Sequence, residues 1–321
     1  MPRHSLTTVP SDHQISATFE IITPMFLGNS DQKATAIRPT SIKGALRFWW
    51  RAMNGDLSLT ELAKKEARLF GSTDGGGVFS LAVSSVGKFQ AQTDWPPKDP
   101  NASSSYMGYG LIQDKTNIEH REAIPAGLSF TVTLTFQSSI SNEDKQSVQT
   151  AVEAFGLFGS LGSRARRGFG SVQLTQLNGA KVNTPTNTSI KEWFENNLPN
   201  SLKNKAQLQY TAFGSDSYFA LPDSIKEKDY KSAHSKMGSA YKAVRASIPT
   251  KQRAVFGLPL KNVNESLRRA SPVFFKVIKN NTGAYQGLIL FMPSQFHPDF
   301  SSADFQMVKP LLETIKAEKC A

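Results

Sequence analysis

Residues Gly159–Val172 read GSLGSRARRGFGSV, a run that sets three arginines among glycines and falls between an apolar helical pattern and a strand. Glycine has no Cβ to hold a ligand away and reaches φ > 0, so successive N–H groups can turn toward one anion. Arg164, Arg166 and Arg167 add planar, permanently charged forks that match phosphate oxygens in pairs. Phe169, between Gly168 and Gly170, either stacks on a base or anchors the loop in the core. A flexible Gly/Ser connector with a solvated charge cluster is the competing reading. The stretch lacks the GK[ST] ending of a P-loop, and it runs from helix to strand where the dinucleotide fingerprint runs from strand to helix.

The flanks of this loop give the fold class. Upstream, Ser141 opens a helix to about Phe158 with Val148, Ala151, Val152 and Phe155 inward, and SVQLTQL follows the loop as a strand. Residues 128–136 alternate Leu128, Phe130, Val132, Leu134 and Phe136 against hydroxyl side chains, the pattern of an antiparallel strand buried on one face. Residues 14–23 alternate in the same way, and VFSLAVSSV (78–86) reads as a further strand. Ser41 is expected to cap the helix SIKGALRFWWRAM, with Ile42, Ala45, Leu46, Trp49, Trp50 and Met53 on one face. A second helix, 58–70, turns Leu59, Leu62, Ala63, Leu69 and Phe70 inward and stops at Gly71. Apart from the extra helix, this order is the β-α-β-β-α-β pattern of a ferredoxin-like sheet with helices on one face, a common RNA-binding platform.

Residues 87–127 are too long and polar for an ordinary connection and predict a functional insertion or extended finger. Residues 178–188 read as a linker between an N-terminal module, 1–177, and a C-terminal one, 189–321. In the latter, helices are expected at about 189–204, 229–246 and 302–318, and strands at 206–213, 253–257, 272–279 and 285–292. The whole is an α+β chain of antiparallel sheets and helices.

The net charge of +11 divides unevenly, because 17 Lys+Arg against 15 Asp+Glu in residues 1–177 leave 20 against 11 for residues 178–321. A basic chain points to a polyanion, and with no basic amphipathic helix exposing large apolar residues, nucleic acid is favoured over membrane. One cysteine, Cys320, excludes an internal disulfide framework and fits a reducing cytoplasm. Lys43, Arg47 and Arg51 recur every fourth residue beside the apolar face of their helix, and no acidic residue lies between Thr40 and Gly55 to pair with them locally.

Catalytic signatures are sparse. The five histidines stand apart from one another and from Cys320, so no zinc or other cofactor signature is present. The one enzymatic candidate is Asp31, a loop acid that could hold Mg²⁺ beside a phosphodiester.

In order along the chain, TPMFLGN, IRPTSIKGALRFWWRA, RLFGS, SRARRGFGSV, VFGLPL and RRASPVFFKVI resemble the RAMP superfamily of CRISPR proteins, most closely the first-subunit family of the Cmr, or type III-B, effector complex. The resemblance implies two ferredoxin-like (RRM-like) modules with insertions. It also implies a non-catalytic ribonucleoprotein subunit that holds guide CRISPR RNA toward its 3′ end, helps engage target RNA, and contacts other Cmr subunits. Arg38, Lys43, Arg47 and Arg51 would then hold phosphates. Gly162, Ser163, Arg164, Arg166, Arg167, Gly168, Phe169 and Gly170 would follow the RNA backbone, and Arg268 and Arg269 would add charge. The alternative is a metal-dependent endoribonuclease of the same superfamily using Asp31.

Overall fold

The computed structural model describes residues 13–28, 31, 33–84, 87–113, 119–206, 208–260, 264–295 and 305–320. The first half runs β1 (Gln14–Ile21), α1 (Pro39–Ala52), α2 (Leu59–Phe70), β2 (Phe79–Val83), α3 (Ser103–Met107), β3 (Ile112–Gln113), β4 (Glu119–His120), β5 (Ser129–Phe136), α4 (Asn142–Phe158), β6 (Val172–Leu177) and β7 (Ala180–Lys181). The second runs α5 (Asn187–Asn197), α6 (Asn200–Lys203), β8 (Tyr218–Ala220), β9 (Lys226–Glu227), α7 (Tyr230–Ser247), β10 (Leu258–Leu260), β11 (Asn264–Arg269), β12 (Val273–Lys279), β13 (Tyr285–Phe291), α8 (Lys309–Thr314) and β14 (Glu318–Lys319).

Each half builds one main sheet, and the two have the same strand order. The first is β2-β5-β1-β6-β7 and the second β12-β13-β8-β14, with every pairing antiparallel. With β8, β12, β13 and β14 taken as first to fourth strands, both sheets read second-third-first-fourth. Their faces differ. In β1 and β5 buried residues alternate with half-buried ones, as one covered face requires, whereas Val273–Ile278 of β12 are buried without a break. One face of the second sheet, with Phe274, Ile278, Leu288 and Leu290, joins the core of the first half; the other, with Phe275, Val277 and Ile289, packs under α7.

This shared core crosses the expected linker. Ile190 and Phe194 of α5 are fully buried, and Phe194 stacks on Phe158 from α4 at 5.4 Å. Five further local expectations are corrected. Ser41 lies inside the first turn of α1, which starts at Pro39 after an Arg38 N-cap that makes no side-chain cap bond; a proline suits this position because its missing N–H would have no helical partner. In α2, Leu59 is 57 % exposed at the first position after the Ser58 capping box. Residues 208–213 form no strand; Tyr210 Oη and Phe213 N donate to the carbonyls of Asn54 and Ala52, satisfying acceptors at the end of α1. Residues 250–256 wind as a 3₁₀ helix where a strand was expected. Near the C-terminus, the expected helix is among the described residues a 3₁₀ turn at 305–308 that runs into α8, followed by β14.

The described residues of the insertion, 87–113 and 119–127, are packed down. Trp95 is 2 % exposed, and α3 docks on α7, where Ser103 and Ser239 share a hydroxyl bond of 2.8 Å. Gln92 Nε2 donates to Tyr230 Oη at 3.0 Å, which ties the insertion to the start of α7.

Candidate nucleic-acid interface

The glycine loop is the joint between the two halves. β12 is the edge of its sheet, and an open edge is a row of unsatisfied donors and acceptors. Here its alternate N–H groups are met from the first half: Phe275 N donates to Arg166 O at 3.1 Å, Val277 N to Ser171 Oγ at 3.1 Å, and Lys279 N to Gln173 Oε1 at 2.9 Å. The loop therefore covers a strand edge that would otherwise invite foreign pairing.

The glycines serve that packing. At Gly162 (φ 88°) an added Cβ would sit 2.6 Å from the Phe26 carbonyl oxygen, and at Gly170 (φ 61°) 2.0 Å from that of Leu161. Both positions need glycine for conformation and for space. The loop N–H groups are also spent internally, with Ser163 N donating to Phe26 O, Arg167 N to Arg164 O and Gly170 N to Pro24 O. Ser163 Oγ accepts from Arg121 Nη1 at 3.1 Å. The N–H groups of Ser163 and Gly170, expected to face an anion, thus bond to protein carbonyls, and the close approaches of Gly162, Gly168 and Gly170 are to protein.

Of the two roles open to Phe169, the structure shows the anchor. Its ring is fully buried between Trp95 and His234, with both ring centroids at 4.6 Å, and offers no face to a base. His234, itself buried, donates from Nε2 to Arg167 O at 2.8 Å, which leaves Nδ1 to accept from Ser104 Oγ at 3.0 Å. Burial pushes its imidazole down to about 4, so the ring holds the loop as a neutral donor.

The arginines divide by what faces them. Arg166 lies over Phe274 at 4.4 Å and donates to Ser271 O at 2.6 Å; burial, then the nearby Arg269 and Arg167, bring its guanidinium down to about 10. Arg167 lies over Tyr241 at 4.6 Å, and Arg269 donates to Ser294 Oγ at 3.1 Å. Arg164, at φ 61°, is exposed; partial burial and then Arg167 lower its pKa. These four, with Arg245 from α7, line one cleft of about 580 Å³ between the glycine loop, α3, α7 and the turn at 256–259, together with Tyr106, Tyr109 and Tyr241. Among the described residues, no Asp or Glu lines it.

The basic stripe on α1 is different. Arg51 Nη1 donates to both oxygens of Glu66 on α2, at 2.8 and 3.0 Å, and Arg47 Nε lies 3.7 Å from the same carboxylate. Arg47 also donates to Phe70 O at 3.2 Å and to Gly71 O, at the end of α2. The partners missing within α1 are supplied by its neighbour, so Arg47 and Arg51, expected to face phosphates, pair α1 with α2. Lys43 stands over the Phe79 ring at 5.7 Å, Arg38 is exposed and donates to Gly28 O at 3.3 Å, and Arg268 is exposed and donates to Glu265 O at 2.6 Å. None of the three lines the cleft.

Arg245, Tyr106, Tyr109 and the 256–259 turn are site residues that the sequence reading passed over. Tyr241 and Arg245 carry a local signal, an aromatic and a cation four residues apart on one helix face, and the 256–259 turn lies within the VFGLPL motif. Asp31 is exposed, and its Oδ1 accepts from Lys33 N at 3.1 Å. Among the described residues, no group of three His, Cys, Asp or Glu could hold a metal ion, and no helix is long and apolar enough to cross a membrane.

The chain matches the model of the RAMP superfamily over residues 18–173 and that of the Cmr1-like C-terminal family over residues 227–311. It is 29% identical over 287 residues to the CRISPR system Cmr subunit Cmr1-1 of Pyrococcus furiosus, covering 83% of this chain and 83% of that protein. Identity to Cmr1-2 of the same organism is 28% over 174 residues, 49% of this chain and 93% of that protein. The apo crystal structure of Cmr1 from Pyrococcus furiosus superposes with a TM-score of 0.68 at 23% identity, covering 96% of this chain and 98% of the other. A chain of the type III-B Cmr-beta complex bound to cognate target RNA gives 0.62 at 14% identity, covering 94% and 98%. These two superpositions establish likeness of fold. The cleft lies where the two family-matched segments meet, taking Arg164, Arg166 and Arg167 from one and Tyr241, Arg245 and Arg269 from the other.

Proposed function

Because the chain belongs to the RAMP superfamily, with a Cmr1-like C-terminal region, we propose that it is the RNA-binding, non-catalytic first subunit of a type III-B CRISPR effector, built from two ferredoxin-like modules. The module reading is supported by the common strand order of the two sheets and by an α+β chain order that repeats a β-α-β-β-α-β core. One module takes residues 1–177 and the other 189–321, the connection at 178–188 being crossed by their shared core. Guide RNA, toward its 3′ end, and target RNA are the proposed ligands, and other Cmr subunits and a cytoplasmic setting follow from the same kinship.

The observation that carries the binding role is the acid-free cleft with its five arginines. Phosphate contacts supply affinity without sequence choice, and arginine forks suit phosphate oxygens. Arg38, Lys43 and Arg268 are proposed as outlying phosphate contacts. Catalysis is assigned elsewhere: Asp31 stands in solvent with its Oδ1 bonded to the backbone of its own loop, and among the described residues it belongs to no group of three His, Cys, Asp or Glu that could hold a metal ion.

Titration of single-stranded RNA against the purified chain over a range of salt tests the assignment. The double variant Arg164→Ala/Arg245→Ala is expected to bind unrelated RNAs more weakly by a common factor, with the slope of log affinity against log salt reduced by about 1.4, or about 0.7 for each lost phosphate contact. Neither the wild type nor Asp31→Ala should cut RNA when Mg²⁺ is added. An unchanged slope in a folded double variant would reject the cleft as the RNA site, and Mg²⁺-dependent cleavage lost in Asp31→Ala would install the nuclease.

A further inference from the structure

The cleft is more selective than a basic groove. Three of its donors are buried without an acceptor: Arg167 Nη1, Arg245 Nε and Tyr241 Oη. Tyr241 is 2 % exposed, and its ring is packed edge-on to Phe256 and Phe275 at 5.3 and 5.0 Å, so the hydroxyl cannot swing out to water. Arg167 is pinned by its bond to Phe256 O at 3.3 Å and by the Tyr241 face, and Arg245 by its bond to Tyr106 Oη. Buried polar groups are nearly always paired, and these three unpaired donors belong to residues that line one cleft with no Asp or Glu among its described lining, a setting that favours an acceptor with several oxygens.

A second observation lies at the rim. Tyr109 is 80 % exposed, while every other described Trp, Phe and Tyr side chain is covered in greater part. It follows α3, which Ser104 and the buried Met107 hold against α7, so the exposed ring stands on a fixed base. Arg164 lies beside it, with Nη2 3.5 Å from where a Cβ on Gly110 would be. An aromatic left in water next to a guanidinium is a stacking platform for a base.

We propose that the cleft seats one unpaired nucleotide of a single strand, its phosphate on Arg167, Arg245 and Tyr241 and its base on the Tyr109 ring. The inference rests on the RNA-binding reading above and narrows its ligand to single-stranded RNA with one nucleotide turned out of the stack. Size agrees, since about 580 Å³ falls in the range of about 300–1,000 Å³ that encloses one small ligand. A duplex keeps its bases stacked and is recognised by shape over many base pairs, which a recess of this size cannot span. An acidic protein segment would neutralise the arginines but gives the exposed ring nothing to stack on.

The test uses the full chain and a set of short single-stranded RNAs, each carrying one 2-aminopurine at a different position. Stacking on tyrosine should quench the fluorophore at one position and leave the others bright. Tyr109→Ala should abolish that quench and weaken binding at least about fivefold, and Tyr109→Phe should retain both. The same RNA annealed to its complement should show no quench. The inference is overturned if Tyr109→Ala quenches and binds like wild type, or if duplex binds as tightly as single strand. Salt-dependent binding that still responds to Arg164→Ala/Arg245→Ala would then leave the broader reading standing. A wild-type chain that binds no RNA would overturn both.

Discussion

Lys43–Arg51 on α1 and Arg164–Arg167 in the glycine loop are both arginine-rich stretches beside aromatic residues, and composition alone ranks them equally as phosphate sites. What faces them separates them. Glu66, on the next helix, takes both Arg47 and Arg51, while the cleft that Arg164, Arg166 and Arg167 share with Arg245 and Arg269 has no carboxylate in its lining. An acid-free stretch of sequence therefore says little about a cation's partners, because a neighbouring helix supplies them in three dimensions. Even within the loop, roles divide: Arg166 is committed to Ser271 and two phenylalanine faces, and Arg164 is the arginine left exposed.

The most forceful way to break the comparison is to remove the loop's anchor. Phe169→Ala should cost about 3–5 kcal/mol, as for other buried aromatics, because Trp95 and His234 lose their common partner and the β12 edge loses its cover. Thermal or urea unfolding measures it. If the variant were as stable as wild type while RNA affinity fell, Phe169 would be a stacking residue after all and the loop would not be the structural joint.

Next in size is a pH effect confined to the loop side. His234 is held near 4 by burial against an ordinary value of 6.5, so the unfolded chain binds a proton that the folded one refuses between those limits. Stability is complete above about pH 6.5 and is lost as pH falls toward 4, by about 3 kcal/mol at about 1.4 kcal/mol per unit. Hydrogen exchange should show residues 164–170 opening in acid before α1, which has no histidine. Loss of protection in α1 first would assign the acid sensitivity elsewhere.

Much of the first sheet was legible because its strands are covered on one face. Ile15, Ala17, Phe19 and Ile21 alternate with polar residues, and so do the inward residues of β5. The second sheet is buried on both faces, so VFFKVIK shows no alternation; its two long strands were legible at 272–279 and 285–292, but the full burial of Lys276, whose Nζ donates to Gly156 O at 2.5 Å, was not. Similarly, 206–213 looks like a strand because Leu208, Ala212 and Phe213 are apolar, yet their burial serves the end of α1. The site was half legible. Glycines and arginines at 159–170 announced a special loop, but their spacing could not show that the glycines approach protein carbonyls or that the facing wall comes from Tyr241 and Arg245, more than seventy residues on.

The smallest expected effects decide most sharply between the two arginine sets. Arg51 makes a two-pronged ion pair with a Glu66 side chain that is 16 % exposed, so Arg51→Ala should cost about 1–3 kcal/mol by leaving a half-buried carboxylate short of its donors. RNA binding by the folded variant should keep its salt slope. Arg164 is exposed and bears no such partner across the cleft, so Arg164→Ala should change stability by less than about 0.5 kcal/mol and lower the slope by about 0.7. The paired measurement is self-controlling, because each variant removes one arginine and the same formal charge. A general loss of positive field would shift both slopes alike. A slope that fell in Arg51→Ala and held in Arg164→Ala would move the RNA path onto α1 and leave the cleft a structural seam.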